Sequence, residues 1–288
     1  MDGKQDRASP RPIYTTIACA QMTFLAQRLS TGKFTGLPLT IIVTASAYFV
    51  FLYLSGVLNS TPHSAIVLFD IRVSQFLSGF RSPAVIRFFT IVTAFGNWAV
   101  VAALAVAVSF LLLLYQRSHW LIGLWIALSC NQILINVIKV IFYRKRPELA
   151  FYSETTYSFP SGHSAASVAF FGIATHILIR ERIAPISLTI AGALCAILLI
   201  GTSRLVLGEH YLSDVLNGYL IGGLGVALAI WFTDYRDTVT VAPRLRPVSL
   251  WRPYATFAVF AVTAVAVWIL ARDYQRNLVV NAFLPTSP

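Results

Sequence analysis

Charge is the scarcest ingredient of this sequence. Only 11% of its 288 residues are Asp, Glu, Lys or Arg, against about a quarter in an ordinary soluble chain, which excludes a soluble globular enzyme. Acidic residues are rarer still, 11 against 22 basic ones, giving a formal net charge of +11. Cysteine is also sparse. Three cannot form a closed disulfide set, and Cys130 and Cys195 lie inside apolar runs, where they read as small buried hydrophobes that report nothing about compartment.

What the chain has instead is apolar length. It is 57% hydrophobic with a mean hydropathy of +0.72, and the apolar residues gather into runs of about 20, enough to cross a hydrocarbon core of about 30 Å as helices. The expectation is an all-α integral membrane protein with seven spans, at roughly 38–58, 86–115, 120–142, 161–179, 185–203, 211–233 and 253–271. The second is long, so it is expected to tilt or to begin outside the hydrocarbon. Residues 63–81 read as a short helix on the membrane surface, too charged to span. Residues 1–37, with Lys4, Arg7, Arg11, Arg28 and Lys33, are too interrupted for a signal peptide and read as an interfacial, cytoplasmic segment.

The basic side chains sit between apolar runs and in the N-terminal arm, where anionic lipid and the positive-inside rule account for many of them, so no nucleic-acid partner is expected. With the N-terminus inside, the loops around Arg117, Arg180 to Arg182 and Arg236 to Arg252 are cytoplasmic. One cluster breaks the rule: Lys139, Arg144, Lys145 and Arg146 follow the third span on the outer face. Snorkelling at a helix end accommodates one or two of them; the set asks for a functional reason.

Three polar segments interrupt the spans, and alternation puts all three on that outer face. The first is Lys139 to Pro147, with Pro147 expected to stop the helix. The second is Pro160, Ser161, Gly162 and His163, opening the fourth span where free N–H groups favour an anion. The third is Ser203 and Arg204 ending the fifth span, with His210 and Asp214 opening the sixth. Lys139, Arg146 and Arg204, with the Ser161–Gly162 turn, suit a group bearing several negative oxygens, a phosphate above all. His210 and Asp214 are four apart; on a helix the carboxylate would hold one imidazole nitrogen and leave the other free as a nucleophile. His163, on another helix, is free to protonate a leaving oxygen.

The three segments, Lys139-VIFYRK-Arg146-Pro147, Pro160-Ser161-Gly162-His163 and Ser203-Arg204-LVLGE-His210-YLS-Asp214, closely resemble the signature of the type 2 phosphatidic-acid phosphatase family of membrane lipid phosphatases, whose site is similar to that of the vanadium haloperoxidases. The resemblance spans residues 38–233. It implies a six-helix transmembrane core acting without metal or cofactor. By that resemblance His210 forms a phosphohistidine, Asp214 orients it, and His163 is acid and then base. Lys139, Arg146, Ser161, Gly162, Ser203 and Arg204 hold the phosphate. The implied substrate is a lipid monophosphate or diphosphate, with undecaprenyl diphosphate, phosphatidate, phosphatidylglycerol phosphate and a lipid A phosphate as candidates. The implied place is the outer side of a plasma or inner membrane. A phosphotransferase or head-group transferase of the same architecture is the alternative, and a transporter of anionic lipid would leave His210 and Asp214 without a task.

Outside that core stand the basic linker 234–252 and residues 253–288, a seventh helix and tail with no assigned role. His63 reads as a surface residue, His119 as a cap or loop residue and His176 as a hydrogen-bonded interior one. Asn131, Gln132 and Asn136 read as interhelical hydrogen-bonding groups, and Arg144 and Lys145 as touching a head group or facing water. Gly218 and Gly222 permit close helix approach, inside the bundle or between copies in a homo-oligomer. No residues have metal-ligand spacing.

Overall fold

The computed structural model describes residues 65–152, 154, 156–239 and 251–283, with isolated positions between 40 and 51. The segment 1–37, most of the first expected span, His63, the linker 240–250 and the last five residues lie outside the described residues. What is described is all-helical: α1 (Ala65–Ser78), α2 (Pro83–Ala94), α3 (Trp98–Leu114), α4 (His119–Phe142), α5 (Gly162–Arg180), α6 (Ile186–Val206), α7 (Leu212–Val239) and α8 (Arg252–Phe283). Five of these (α4 to α8) are long and apolar enough to cross a membrane; α2 and α3 together make a sixth.

The long second span is therefore not one tilted helix. α2 and α3 meet at 46° across residues 95–97. Asn97 causes the break: its side chain accepts from the N–H of Ala99 at 2.9 Å, capping a new helix instead of continuing the old one. Gly96 sits at the bend because nothing larger fits, since a Cβ there would lie 3.0 Å from the Cβ of His163 and 2.7 Å from Ile200. At the other end of the chain, helix α8 runs on to Phe283, beyond the apolar stretch that ends near residue 271.

α5 sits in the middle, packed against α3, α4, α6 and α7. Its contact with α7 is a close one. A Cβ on Gly218 would lie 2.5 Å from the carbonyl oxygen of Ser161, and one on Gly222 would lie 2.5 Å from that of Ala165. The small-residue spacing is thus used inside the bundle. The apolar core runs from Val101 and Leu112 through Trp120 and Leu124 to Phe170, Ile173 and Ile177. It is closed at one end by Glu181, which accepts from Trp120 Nε1 at 2.8 Å and pairs with Arg117 at 2.9 Å. α8 lies outermost, against α3 and α2, and no residue of its most apolar stretch is buried. Exposed Phe257, Phe260 and Trp268 on α8, like Leu188 and Leu198 on α6, face what a membrane protein leaves to lipid.

Candidate active site

The end of the bundle opposite Glu181 collects the C-terminal ends of α4 and α6, the N-terminal ends of α5 and α7, and the α2–α3 bend. α4 stops at Phe142, earlier than Pro147 requires, because Tyr143 turns into the left-handed region at φ 47°. The described residues between 143 and 161 then cross the bundle end and carry Arg144, Arg146, Tyr152, Glu154, Thr156 and Ser158 into it. α6 ends at Val206, and Gly208, at φ +73°, reverses the chain towards Glu209 and His210. A Cβ on Gly208 would meet the carbonyl oxygen of Leu149 at 2.5 Å, so the turn is also pressed against the crossing loop.

His210 precedes α7 instead of lying on it, yet it still reaches Asp214. Nδ1 lies 3.6 Å from Asp214 Oδ2, just beyond hydrogen-bond reach, and Ser158 Oγ closes the gap, 2.5 Å from Oδ2 and 3.4 Å from Nδ1. Asp214 is fully buried. It also accepts from the N–H of Tyr211 at 2.9 Å and from Arg144. Nε2 of His210 makes no hydrogen bond among the described residues, which leaves that nitrogen available. Burial lowers the imidazole well below its ordinary range, and Arg146 and Arg204 push it the same way. His210 is neutral at pH 7, the form a nucleophile needs.

Arg146 and Arg204 converge on one carboxylate. Glu154 Oε1 lies 3.1 Å from Arg204 Nη2, and its other oxygen pairs with Arg146 Nη2. Burial pushes the Glu154 carboxyl up, but Arg204 and Arg146 outweigh it and hold it at about 2. Thr156 joins Lys139 to the group, with Oγ1 3.2 Å from Lys139 Nζ and 3.0 Å from Arg146 Nη2. Arg204 is wholly buried; Nη1 donates to Tyr152 Oη at 2.6 Å and to Thr93 Oγ1 at 2.9 Å, while Nε has no acceptor among the described residues. Glu209 lies under Arg146, 3.3 Å from Nη1 and fully buried, and burial lifts its carboxyl to about 7 against the pull of Arg204.

Ser161 and Gly162 open α5 with extended backbone at Ser161. The N–H of Ser161 donates to the carbonyl of Asp214 at 3.0 Å, and its hydroxyl accepts from Ser164 at 3.0 Å, so this turn is tied to α7. Ser203 Oγ bonds back to the carbonyl of Ile200 at 2.5 Å and reaches no other candidate. His163 stands beside the α2–α3 bend. Its Nε2 lies 3.1 Å from the hydroxyl of Tyr274 on α8.

Other side chains take places the sequence did not suggest. Arg144 neither touches solvent freely nor points at a head group: it is buried between Asp214 and Asp70, with Nη2 2.7 Å from Asp70 Oδ2. Asp70 belongs to α1, the expected surface helix. It is 1% exposed and also accepts from the N–H of Ser213 at 3.0 Å and its hydroxyl at 2.5 Å. A carboxylate inside an apolar helix of a chain with 11 acids was the signal for it. Tyr152, Thr156, Ser158 and Tyr274 gave none, since one hydroxyl on a loop or helix looks like any other. His176 is interior but not hydrogen-bonded at Nε2; its ring packs edge-on against Trp120. Asn131 is buried with Oδ1 unpaired, and Gln132 bonds along its own helix to Asn136 at 3.3 Å.

Residues 118–238, which contain all three polar segments, match the family model of the PAP2 superfamily. That segment, less than half of the chain, is thus similar to the PAP2 superfamily. Over 183 residues it is 25% identical to phosphatidylglycerophosphatase B of Bacillus subtilis, covering 62% of this chain and 88% of that protein. Over 102 residues it is 36% identical to lipid A 1-phosphatase of Rhizobium etli, covering 32% of this chain and 40% of that protein. It shares the fold of the crystal structure of a transmembrane PAP2-type phosphatidylglycerolphosphate phosphatase from Bacillus subtilis, with a TM-score of 0.59 at 23% identity over 70% of this chain and 98% of that one. With five or six helices long and apolar enough to cross a membrane among the described residues, and with relatives that are phosphatases, it is an integral membrane enzyme.

Proposed function

We propose that this protein, a membrane lipid phosphatase by family and relatives, removes the terminal phosphate of a lipid monophosphate or diphosphate without a metal, through a phosphohistidine on His210. Nε2 of His210 attacks phosphorus. The bond from phosphorus to the lipid-side oxygen breaks with its electron pair on that oxygen, and His163 protonates it. Water then attacks the phosphohistidine, His163 takes the water proton, and the P–N bond returns its pair to His210. Asp214 and Ser158 hold Nδ1 throughout. Arg146, Arg204 and Lys139 stabilise the charge that spreads over the transferring oxygens, with the Ser161–Gly162 turn and Ser203 beside them. The site faces outward, away from the side bearing Arg117 and Arg180.

The observation that carries the reading is Glu154. Its carboxylate, an anion with two oxygens, already bridges Arg146 and Arg204 beside a neutral histidine that has one nitrogen unengaged. A phosphoryl group presents the same negative oxygens to the same two guanidinium groups, with one more for Lys139. Among the described residues no three His, Cys, Asp or Glu side chains are grouped to hold a metal ion, so the charge stabilisation is assigned to the cations.

The test is release of inorganic phosphate by purified protein from a panel of lipid monophosphates and diphosphates, in excess EDTA and with no acceptor alcohol. Phosphate should be released, orthovanadate should inhibit, and His210→Ala should be inactive on every substrate. A strict transferase releases none, and abolition by EDTA with rescue by Mg²⁺ sinks the mechanism.

A further inference from the structure

The C-terminal helix α8 lies outside the segment that matches the family and outside the six-helix core, yet both of its ends are fixed. At the end near Glu181, Thr256 Oγ1 lies 2.9 Å from Tyr115 Oη, and Arg252 stacks on the Tyr115 ring with its guanidinium carbon 5.9 Å from the centroid. Eighteen residues later, roughly 27 Å along a helix, Tyr274 enters the site. Its hydroxyl lies 3.1 Å from His163 Nε2, 3.3 Å from Tyr152 Oη and 3.4 Å from Arg204 Nη1. Tyr274 packs, as do Ile86 and Phe89 of α2, against the buried cluster of Tyr152, Leu207 and Leu278. A helix that leaves its apolar length to lipid has thus delivered one hydroxyl to the bundle's charged end.

Resting on the proposed role of His163 as acid and base, we propose that Tyr274 is a positioning residue of the active site. Its hydroxyl holds Nε2 of His163 and leaves Nδ1 to exchange protons with the leaving oxygen and then with water. The proton balance requires such a partner. In the imidazolium both nitrogens carry hydrogen; Nδ1 gives its proton to the leaving oxygen and takes one back from water, while Nε2–H is retained through both steps. A phenol oxygen has two lone pairs and can accept from Nε2–H and Arg204 together, sending its own proton to Tyr152. Gly96, pressed against the Cβ and Cδ2 of His163, confines the ring on another side. Tyr274 therefore does for His163 what Ser158 and Asp214 do for His210.

The test compares wild type, His163→Ala, Tyr274→Phe and the double variant on a lipid monophosphate and on p-nitrophenyl phosphate, reading the ratio of the two kcat/KM values, which report the steps up to leaving-group departure and not the later hydrolysis of the phosphohistidine. p-Nitrophenolate leaves without a proton, so the ratio isolates acid assistance. His163→Ala should lower it by the roughly 10²–10⁴-fold that such assistance supplies. Tyr274→Phe keeps the ring and removes the hydroxyl with its bonds to His163, Arg204 and Tyr152. It should lower the ratio roughly 2- to 10-fold, with the protein still folded and no further drop in the ratio when added to His163→Ala. An unchanged ratio in Tyr274→Phe, an equal loss on both substrates, or a further drop in the double variant overturns the proposal while leaving His163 as the acid. An unchanged ratio in His163→Ala overturns both.

Discussion

Asp70→Asn should destabilise this protein far more than its place on a peripheral helix suggests. The carboxylate is 1% exposed, and its two oxygens serve three donors: Arg144 Nη2 and the Ser213 hydroxyl on Oδ2, and the Ser213 N–H on Oδ1. An amide can place an oxygen at only one of those positions. With NH2 towards Ser213 N it meets a second donor at 3.0 Å; with NH2 towards Arg144 it leaves Asp214 as the one carboxylate on that guanidinium among the described residues. Removing one partner of a buried pair costs about 3–5 kcal/mol. Because Asp214 remains, about 2–4 kcal/mol is expected, roughly 4–16 °C for a bundle of this size. The assay is thermal unfolding in detergent, beside Arg72→Gln, an exposed position on the same helix where a surface change stays within about 0.5 kcal/mol. Activity should fall with stability, since Arg144 also bonds Asp214. If Asp70→Asn melts within 2 °C (about 0.5 kcal/mol) of wild type, the Asp70–Arg144–Asp214 chain does not hold the site together and the reasoning fails.

Two further outcomes follow from burial and from position. Glu209 is held near 7, above its ordinary 4.5, so between those values the folded protein keeps a proton that the unfolded chain releases; stability should fall as pH rises through that window and level off above it. Glu209→Gln lacks this dependence. Measured by melting temperature, it should gain on wild type between pH 5 and pH 8 by at most about 3 kcal/mol, and an unchanged difference rules the assignment out. Exposed positions set the orientation: in a cysteine-free background, Lys145→Cys and Glu148→Cys should react with an impermeant thiol reagent from outside the cell, and Arg182→Cys should not. The opposite pattern moves the site to the cytoplasmic face.

Membrane crossing and the three polar segments could be read from the sequence because both are written in composition: apolar runs near 20 residues, and clustered polar residues between them. Alternation of spans then placed Lys139, Arg146, His163, Arg204, His210 and Asp214 at one end, and the structure has them there. Backbone breaks were less visible. Neither Asn97 capping α3 nor Tyr143 ending α4 disturbs a hydropathy average, so one span, tilted or beginning outside the hydrocarbon, was expected where a 46° bend stands, and Pro147 was credited with a stop made four residues earlier. Least visible were long-range partners. Asp70 meets Arg144 across 74 positions and Tyr274 meets His163 across 111, and no local pattern encodes such a meeting. Gly218 and Gly222 lie between these cases: their spacing announced a close contact, and only the packing of α5 on α7 decided with what.

Charge balance explains why a chain so poor in acids spends four of them here. Lys139, Arg144, Arg146 and Arg204 would be costly together at the end of an apolar bundle, where each buried ion loses several kcal/mol of hydration. Asp70 and Asp214 answer Arg144; Glu154 answers Arg146 and Arg204; Glu209 lies beneath Arg146. Three of the four cations thus pair with these four carboxylates, while Lys139 bonds Thr156, and the carboxylates differ in access. Asp70, Asp214 and Glu209 have side chains at most 2% exposed, whereas that of Glu154 is 25% exposed. On the phosphatase reading this difference sets the energetics of binding. An entering phosphate competes with a resident carboxylate for the same guanidinium groups, so its ground-state affinity is the difference between two anions, not the full attraction of an empty cradle. The planar set of three equatorial oxygens that a phosphoryl group presents in its transition state has no counterpart in the two oxygens of Glu154. Arg146, Arg204 and Lys139 can therefore favour the transition state over the bound substrate, which is the only preference that speeds the chemical step.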